Sequence, residues 1–175
     1  TLSWHRDLQM ALFYGTRSAL ALLGLSVYWI YTAWPAASGA MLLAAVVCSL
    51  FASRDNAPQI GVMFLQGIAV ALPVAFIAGQ VVLPQVSGFV MLCLVLGVPL
   101  FFGALGMASP ATGASATSFC LHFIVLCAPQ NSMRYDVAFF LNEALAIVIG
   151  VGCAVLAFRL VLLRSPAWHG RRVLQ

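Results

Sequence analysis

The chain has 175 residues, of which 63% are hydrophobic and only 7% charged, with a formal net charge of +4. Soluble proteins carry about 25% charged residues, so a soluble domain is excluded, and the apolar runs are too long and continuous for a barrel of alternating segments of about ten residues. All cationic side chains are arginine; without lysine there is neither a Walker A phosphate loop nor Schiff-base chemistry, and no basic tract interleaved with aromatics points to nucleic acid.

The composition predicts an all-α integral membrane protein, a six-transmembrane-helix bundle, in one membrane domain over residues 1–175. Thr1 to Asp7 is polar with one interfacial tryptophan, Trp4. The first predicted span covers residues 8–34, more than the ~20 residues a helix needs to cross a bilayer. In steps of three and four, one face reads Tyr14, Arg17, Ala21, Gly24, Tyr28 and Tyr31. Ionisable side chains inside a membrane are rare and functional by default. Arg17 lies ~14 Å into a helix that starts at Leu8. It is an interface anchor instead if the first dozen residues lie along the surface. Tyr28, Trp29, Tyr31 and Trp34 form an aromatic belt at the far end, and Pro35 and Gly39 break the helix.

The second span is predicted at 37–53, followed by a polar turn at Arg54-Asp55-Asn56. The third, 59–83, carries Gly67, Ala71, Ala75 and Gly79 in a small-residue stripe and Pro73 as a kink. The fourth is placed at 87–102, with Gly103 to Ser109 as a flexible connection. Ser109-Pro110 reads as N-cap and first helical residue of the fifth span, 110–127. The sixth, 137–163, follows a polar loop at 129–136 and carries a second stripe, Ala138, Asn142, Ala146, Gly150 and Ala154. The two stripes offer more close-packing surface than six helices need, which predicts that part of it faces a second membrane half or subunit. Six spans put Arg6, Arg54, Arg159, Arg164, Arg171 and Arg172 on one side and Arg134 opposite, so both termini are expected in the cytoplasm.

Glu143 lies about 9 Å into the sixth span. A carboxyl at that depth, held away from bulk water, suits proton coupling. It equally suits a wet position near the outer interface or a pairing with Arg134. His122 is either a second proton-coupling group or a hydrogen-bonded packing residue. Asp136 reads as the cap of the sixth helix. Thr112, Ser115, Thr117 and Ser118 have the option of bonding their own helix backbone. Cys48, Cys93, Cys120, Cys127 and Cys153 form no CxxC pair and read as apolar buried thiols. There is no HExxH, no aspartate pair and no metal-ligand cluster, so neither an enzyme, a metal nor a cofactor is expected.

Arg17 to Ala21 (RSALA), Tyr28 to Pro35 (YWIYTAWP), Ser109 to Thr112 (SPAT) and Asp136 to Asn142 (DVAFFLN) occur in an order that resembles the fusaric acid resistance (FUSC) family of bacterial efflux proteins. The likeness covers essentially the whole chain and is strongest to the family's second membrane half. It implies an excerpt of a longer protein of the inner membrane, one half of a pseudo-twofold or dimeric transporter. The family is also distantly similar to plant aluminium-activated malate channels, in which basic residues line the pore, and Arg17 falls where one is expected. Two departures stand out: WPAASGA is one residue longer than the usual spacing, and Glu143 replaces an expected small residue.

The function implied is half of an inner-membrane exporter of small aromatic carboxylic acids driven by the proton gradient. Arg17, Tyr14, Tyr28 and Asn142 are the substrate-binding candidates, and Glu143 and His122 the proton-coupling ones. Expected partners are a small organic anion, the lipid bilayer, a second half or subunit and a periplasmic membrane-fusion adaptor. The alternatives are a passive organic-anion channel and a non-transporting scaffold for such an adaptor.

Overall fold

A computed structural model describes residues 8–51, 57–130 and 135–162, without some side chains near the ends of the first and last helices. The expected turn at 54–56 and the arginines Arg6, Arg54, Arg134, Arg164, Arg171 and Arg172 lie outside the described residues. The described residues are all helical apart from turns: α1 (Leu8–Thr32), α2 (Ala37–Phe51), α3 (Ala57–Phe76), a π-helical segment (Ile77–Val82) running into a 3-10 turn (Leu83–Gln85), α4 (Phe89–Met107), α5 (Gly113–Cys127) and α6 (Val137–Leu162). Among them, Gln59–Gln85, Phe89–Met107 and Val137–Ala157 are long and apolar enough to cross a membrane, and Ser18–Thr32, Ala37–Leu50 and Gly113–Cys127 are shorter apolar helices.

The chain divides into two compact units. One comprises the described residues of Thr1–Pro58 and Ile149–Gln175; the other comprises Gln59–Val148.

In the first unit α1 ends on Ala33, a left-handed residue (φ 47°) whose N–H donates to Trp29 O at 2.8 Å. Pro35 then turns the chain, because proline cannot extend a helical ladder. Gly39 does not break a helix: it sits in the first turn of α2, its N–H on Ala36 O. The core is made of small side chains, Ala37, Ala40 and Ala44 with Leu43 and Val47 on α2, Leu25 on α1, and Val151, Ala154 and Val155 on α6. Small residues let backbones approach, and here they do: a Cβ added to Gly150 would run into the Ala40 backbone.

In the second unit Pro73 lies inside α3, and the helix widens into π geometry four residues later, ahead of Pro84. Leu83 N–H reaches back to Ala78 O across the wide turn. A proline ring clashes with the carbonyl four residues earlier in α register, and the widened turn relieves that clash at Gln80. Gln85 Nε2 donates to Val81 O at 2.9 Å, pairing a carbonyl near the helix end. Tyr135 Oη donates to Leu83 O at 3.4 Å, and the Phe76 and Phe140 rings meet edge to face at 5.5 Å, joining this end of α3 to the start of α6.

Two boundaries differ from the sequence reading. The stretch Gly103 to Met107 is helical, not a flexible connection, because Gly103 and Gly106 are contact points: a Cβ on Gly103 would lie 3.0 Å from Phe119 Cδ1, and one on Gly106 3.0 Å from Ala116 Cβ. Ser109-Pro110 opens a tight turn rather than α5; Ser109 O accepts from Thr112 and Gly113, and the Thr112 hydroxyl caps Gly106 O at 2.7 Å. Asp136 does cap α6, its Oδ1 accepting from Ala138 N at 2.9 Å and Phe139 N at 3.1 Å.

The small-residue stripes also behave differently from the expectation. Gly67, Ala71 and Ala75 on α3 and Gly79 on the π-helical segment are all buried within this chain. On α6 the stripe starts exposed at Ala138 and ends fully buried at Ala154. At about 100° per residue a four-residue step overshoots one turn by about 40°, so such a stripe winds from the outer to the inner face. Most of this close-packing surface is therefore buried within the chain, and the part of the stripes left open is the Ala138 end of α6. What stays uncovered is α4, where Phe89, Val90, Leu94, Val98, Phe101, Phe102 and Leu105 are all more than half exposed. Cys93 on the same helix is exposed too, unlike buried Cys48 and Cys127.

Candidate functional site

The face of α1 read from the sequence is largely open. Ala21 is half-buried beside the α2 seam, whereas Gly24, Tyr28 and Tyr31 are exposed. Nothing lies within 4 Å of a Cβ built on Gly24, so the helix carries a notch there. Tyr28, one turn further along the same face, sits edge-on to Trp34 with ring centroids 6.4 Å apart. The side chains of Tyr14 and Arg17 lie outside the described residues; their backbone belongs to α1. Thr16, Ser26 and Thr32 each donate to the carbonyl four residues earlier, at 2.8 Å, and are satisfied by α1 itself.

Tyr28 belongs to the first unit; Asn142, Glu143 and His122 belong to the second. Asn142 and Glu143 are both half-buried. The buried arc of α6 in this unit is defined by Phe140, Ala144 and Ile147. Ala146, the next residue on Asn142's stripe, is fully buried as well; at about 100° per residue Glu143 falls within that arc and Asn142 at its edge.

The most constrained polar arrangement of the second unit surrounds His122. Gly67 on α3 brings α5 so close that an added Cβ would lie 2.7 Å from Ser118 Cβ and 2.9 Å from Phe119 N. Ser115 and Thr117 bond backward along α5, as expected for hydroxyls in a membrane helix. Ser118 does not: its Oγ crosses to Phe64 O on α3 at 2.6 Å. Ser118 O in turn accepts from His122 Nδ1 at 2.7 Å, and the Phe64 ring stands near-perpendicular to the imidazole at 5.8 Å. Ser118 and His122 are completely buried. His122 Nε2 has no hydrogen-bond partner among the described residues, a state that costs about 1–3 kcal/mol for a buried polar atom. His122 was legible as a candidate; Ser118, Phe64 and Gly67 were not. The four-residue spacing of Ser118 and His122 does put both on one face of α5.

No group of three or more His, Cys, Asp or Glu among the described residues is placed to hold a metal ion. The arrangement consists of an open aromatic face on α1 and a buried imidazole framed by α3 and α5.

Comparison with known proteins gives these features a context. The chain is 30% identical over 163 residues to an uncharacterised transporter of Gluconobacter oxydans, covering 93% of this chain and 22% of that protein. It is 34% identical over 167 residues to the p-hydroxybenzoic acid efflux pump subunit AaeB of Edwardsiella tarda, covering 94% of the chain and 25% of the subunit. The AaeB of Escherichia fergusonii is 33% identical over 140 residues, 79% of the chain and 20% of the subunit. The chain thus spans about a quarter of the length of the curated relatives it matches. No solved structure matches it. The model of the fusaric acid resistance protein family, FUSC, matches residues 1–175 from end to end, and the chain belongs to that family.

Proposed function

We propose that the chain is the membrane half-unit of an inner-membrane exporter of small aromatic carboxylic acids, driven by the proton gradient. The observation that carries this reading is the match of the whole chain to the family, with relatives named as efflux pump subunits for p-hydroxybenzoic acid. The open notch of α1 supports it. Arg17 lies two turns from Gly24 on the same face. Its guanidinium holds the substrate carboxylate through two parallel charge-assisted bonds, a geometry lysine cannot copy. Tyr14 and Tyr28 flank the aromatic ring, Asn142 supplies a further polar contact, and Glu143 and His122 exchange protons. The six helices form one membrane domain with both termini cytoplasmic, completed by a second half or subunit and served by a periplasmic adaptor.

Arg17→Gln in the full-length protein is expected to reduce export of labelled p-hydroxybenzoate at least tenfold at unchanged membrane level, with Arg17→Lys intermediate. Normal export by Arg17→Gln would make Arg17 an interface anchor and remove the anion site from α1. Topology has its own test. In a cysteine-free background, a cysteine at Gln130 is expected to react with an impermeant maleimide from outside the cell, and one introduced after Arg164 only once the membrane is opened. The opposite pattern inverts the chain.

A further inference from the structure

We propose that Nε2 of His122 is a proton-binding atom inside the Gln59–Val148 unit, with Glu143, the one carboxyl on the helices of that unit, balancing its charge. Proton binding stands on the geometry of this unit; only the use of that proton in transport rests on the exporter reading above.

The tautomer follows from the frame. Ser118 O, a carbonyl that can only accept, lies 2.7 Å from Nδ1, and Ser118 Oγ, 3.3 Å from the same nitrogen, already gives its one hydrogen to Phe64 O, so Nδ1 carries the hydrogen. Neutral His122 then has its lone pair on Nε2, fully buried and with no described partner. A proton is the smallest guest able to use that lone pair, and it needs no cavity. Uptake makes one N–H bond at Nε2 and breaks one O–H bond of a hydronium ion from the acidic side; release to the other side reverses both. The protonated ring stays bonded to Ser118 O, with the Phe64 ring near-perpendicular to it at 5.8 Å.

The charge environment is sparse. In this unit α3 carries no titratable side chain, α4 only Cys93, and α5 besides His122 only Cys120 and Cys127. Ahead of α6 stand Arg134, which lies outside the described residues, and Tyr135 and Asp136, and the Asp136 carboxylate is engaged by the first amides of that helix. The helices of the unit therefore hold one imidazole and one carboxyl, Glu143. His122 precedes the end of α5 at Cys127 by five residues, and Glu143 follows the start of α6 at Val137 by six. That is about 7.5 Å and 9 Å from the facing ends of two consecutive helices. Glu143 shares the inward arc of α6 with Phe140, Ala144 and Ile147.

The site is also tied to packing. Ser118 bonds the imidazole through its carbonyl and α3 through its hydroxyl, so the charge state of the ring bears on the α3–α5 seam.

The test uses the full-length protein reconstituted in lipid vesicles. Nitrogen-15 NMR of labelled histidine, assigned by comparison with His122→Asn, is expected to find neutral His122 in the Nδ1–H form and protonated as the pH is lowered. Glu143→Gln is expected to shift that transition by at least tenfold in proton concentration. An Nε2–H tautomer, or no transition at any pH that leaves the protein folded, overturns the proposal. Labelled p-hydroxybenzoate then reads the coupling. His122→Asn keeps a donor toward Ser118 O but lacks Nε2. It is expected to lose at least tenfold in gradient-driven accumulation at unchanged membrane level. Wild-type accumulation by His122→Asn overturns the coupling role. If the wild-type protein neither exchanges nor accumulates p-hydroxybenzoate, the exporter reading fails while the NMR result still decides proton binding.

Discussion

Gly150→Leu is expected to leave little or no folded protein. Gly150 is buried against the backbone of α2, where an added Cβ would already fall 2.9 Å from the Ala40 carbonyl carbon and Cα. The obstacle is main chain, not the tip of a flexible side chain, so the two helices must separate to admit even one carbon. Overpacking a tight core typically costs about 1–3 kcal/mol, and leucine adds three more carbons in the same direction. Separation would also uncover Ala37, Ala40, Ala44, Val151 and Ala154, all buried in this unit. Detergent-extracted protein should run as aggregate on size exclusion, with helix content lost at lower temperature than wild type. Gly152→Leu, two residues along the same helix, is the control, because a Cβ there meets nothing within 4 Å. A monodisperse, normally melting Gly150→Leu protein would mean that α2 and α6 are not in this contact.

Gly67→Ala is expected to lower stability by about 1–3 kcal/mol. The added methyl collides with the α5 main chain around Ser115 and Phe119 and with Ser118 Cβ. Moving α5 away stretches the 2.6 Å bond from Ser118 to Phe64 O, leaving a hydroxyl without its cross-helix acceptor. Gly97→Ala is the matched control: it lies in the same unit, on exposed α4, with nothing within 4 Å of the new methyl. It should raise stability by about 0.5–1 kcal/mol, the helix-propensity gain of alanine over glycine inside a helix. Thermal melts of both variants in one detergent give the comparison. Equal midpoints would show that the α3–α5 seam has slack, and His122 would then be less firmly framed than its geometry implies.

Both expectations differ from what the small-residue stripes suggest when read as letters. Gly150 looks like a docking surface for a second half because spacing alone cannot say which neighbour a small residue meets. Helix α2 meets it, because its alanines at 37, 40 and 44 present an equally flat surface. The same limit explains Gly103 and Gly106. Glycine in a sequence reads as a break, yet both are helical, since a neighbouring helix fills the room that a missing Cβ leaves.

The amino-acid sequence by itself determined that the chain is helical and belongs with membranes. Lipid offers no hydrogen bonds, so every long apolar run must satisfy its backbone internally. It also determined the helix ends near Pro35 and Asp136, because those residues act on their own backbone. The candidate residues Arg17, Glu143 and His122 were equally legible, since charge in apolar sequence needs no neighbours to be conspicuous. Tertiary structure decided what these residues do to one another. Only the approach of α5 to Gly67 joins Ser118 to Phe64, and only the resulting frame fixes which nitrogen of His122 carries the hydrogen. Hydrogen bonds between helices depend on two surfaces meeting within about 3 Å, a distance that no spacing along one chain segment encodes.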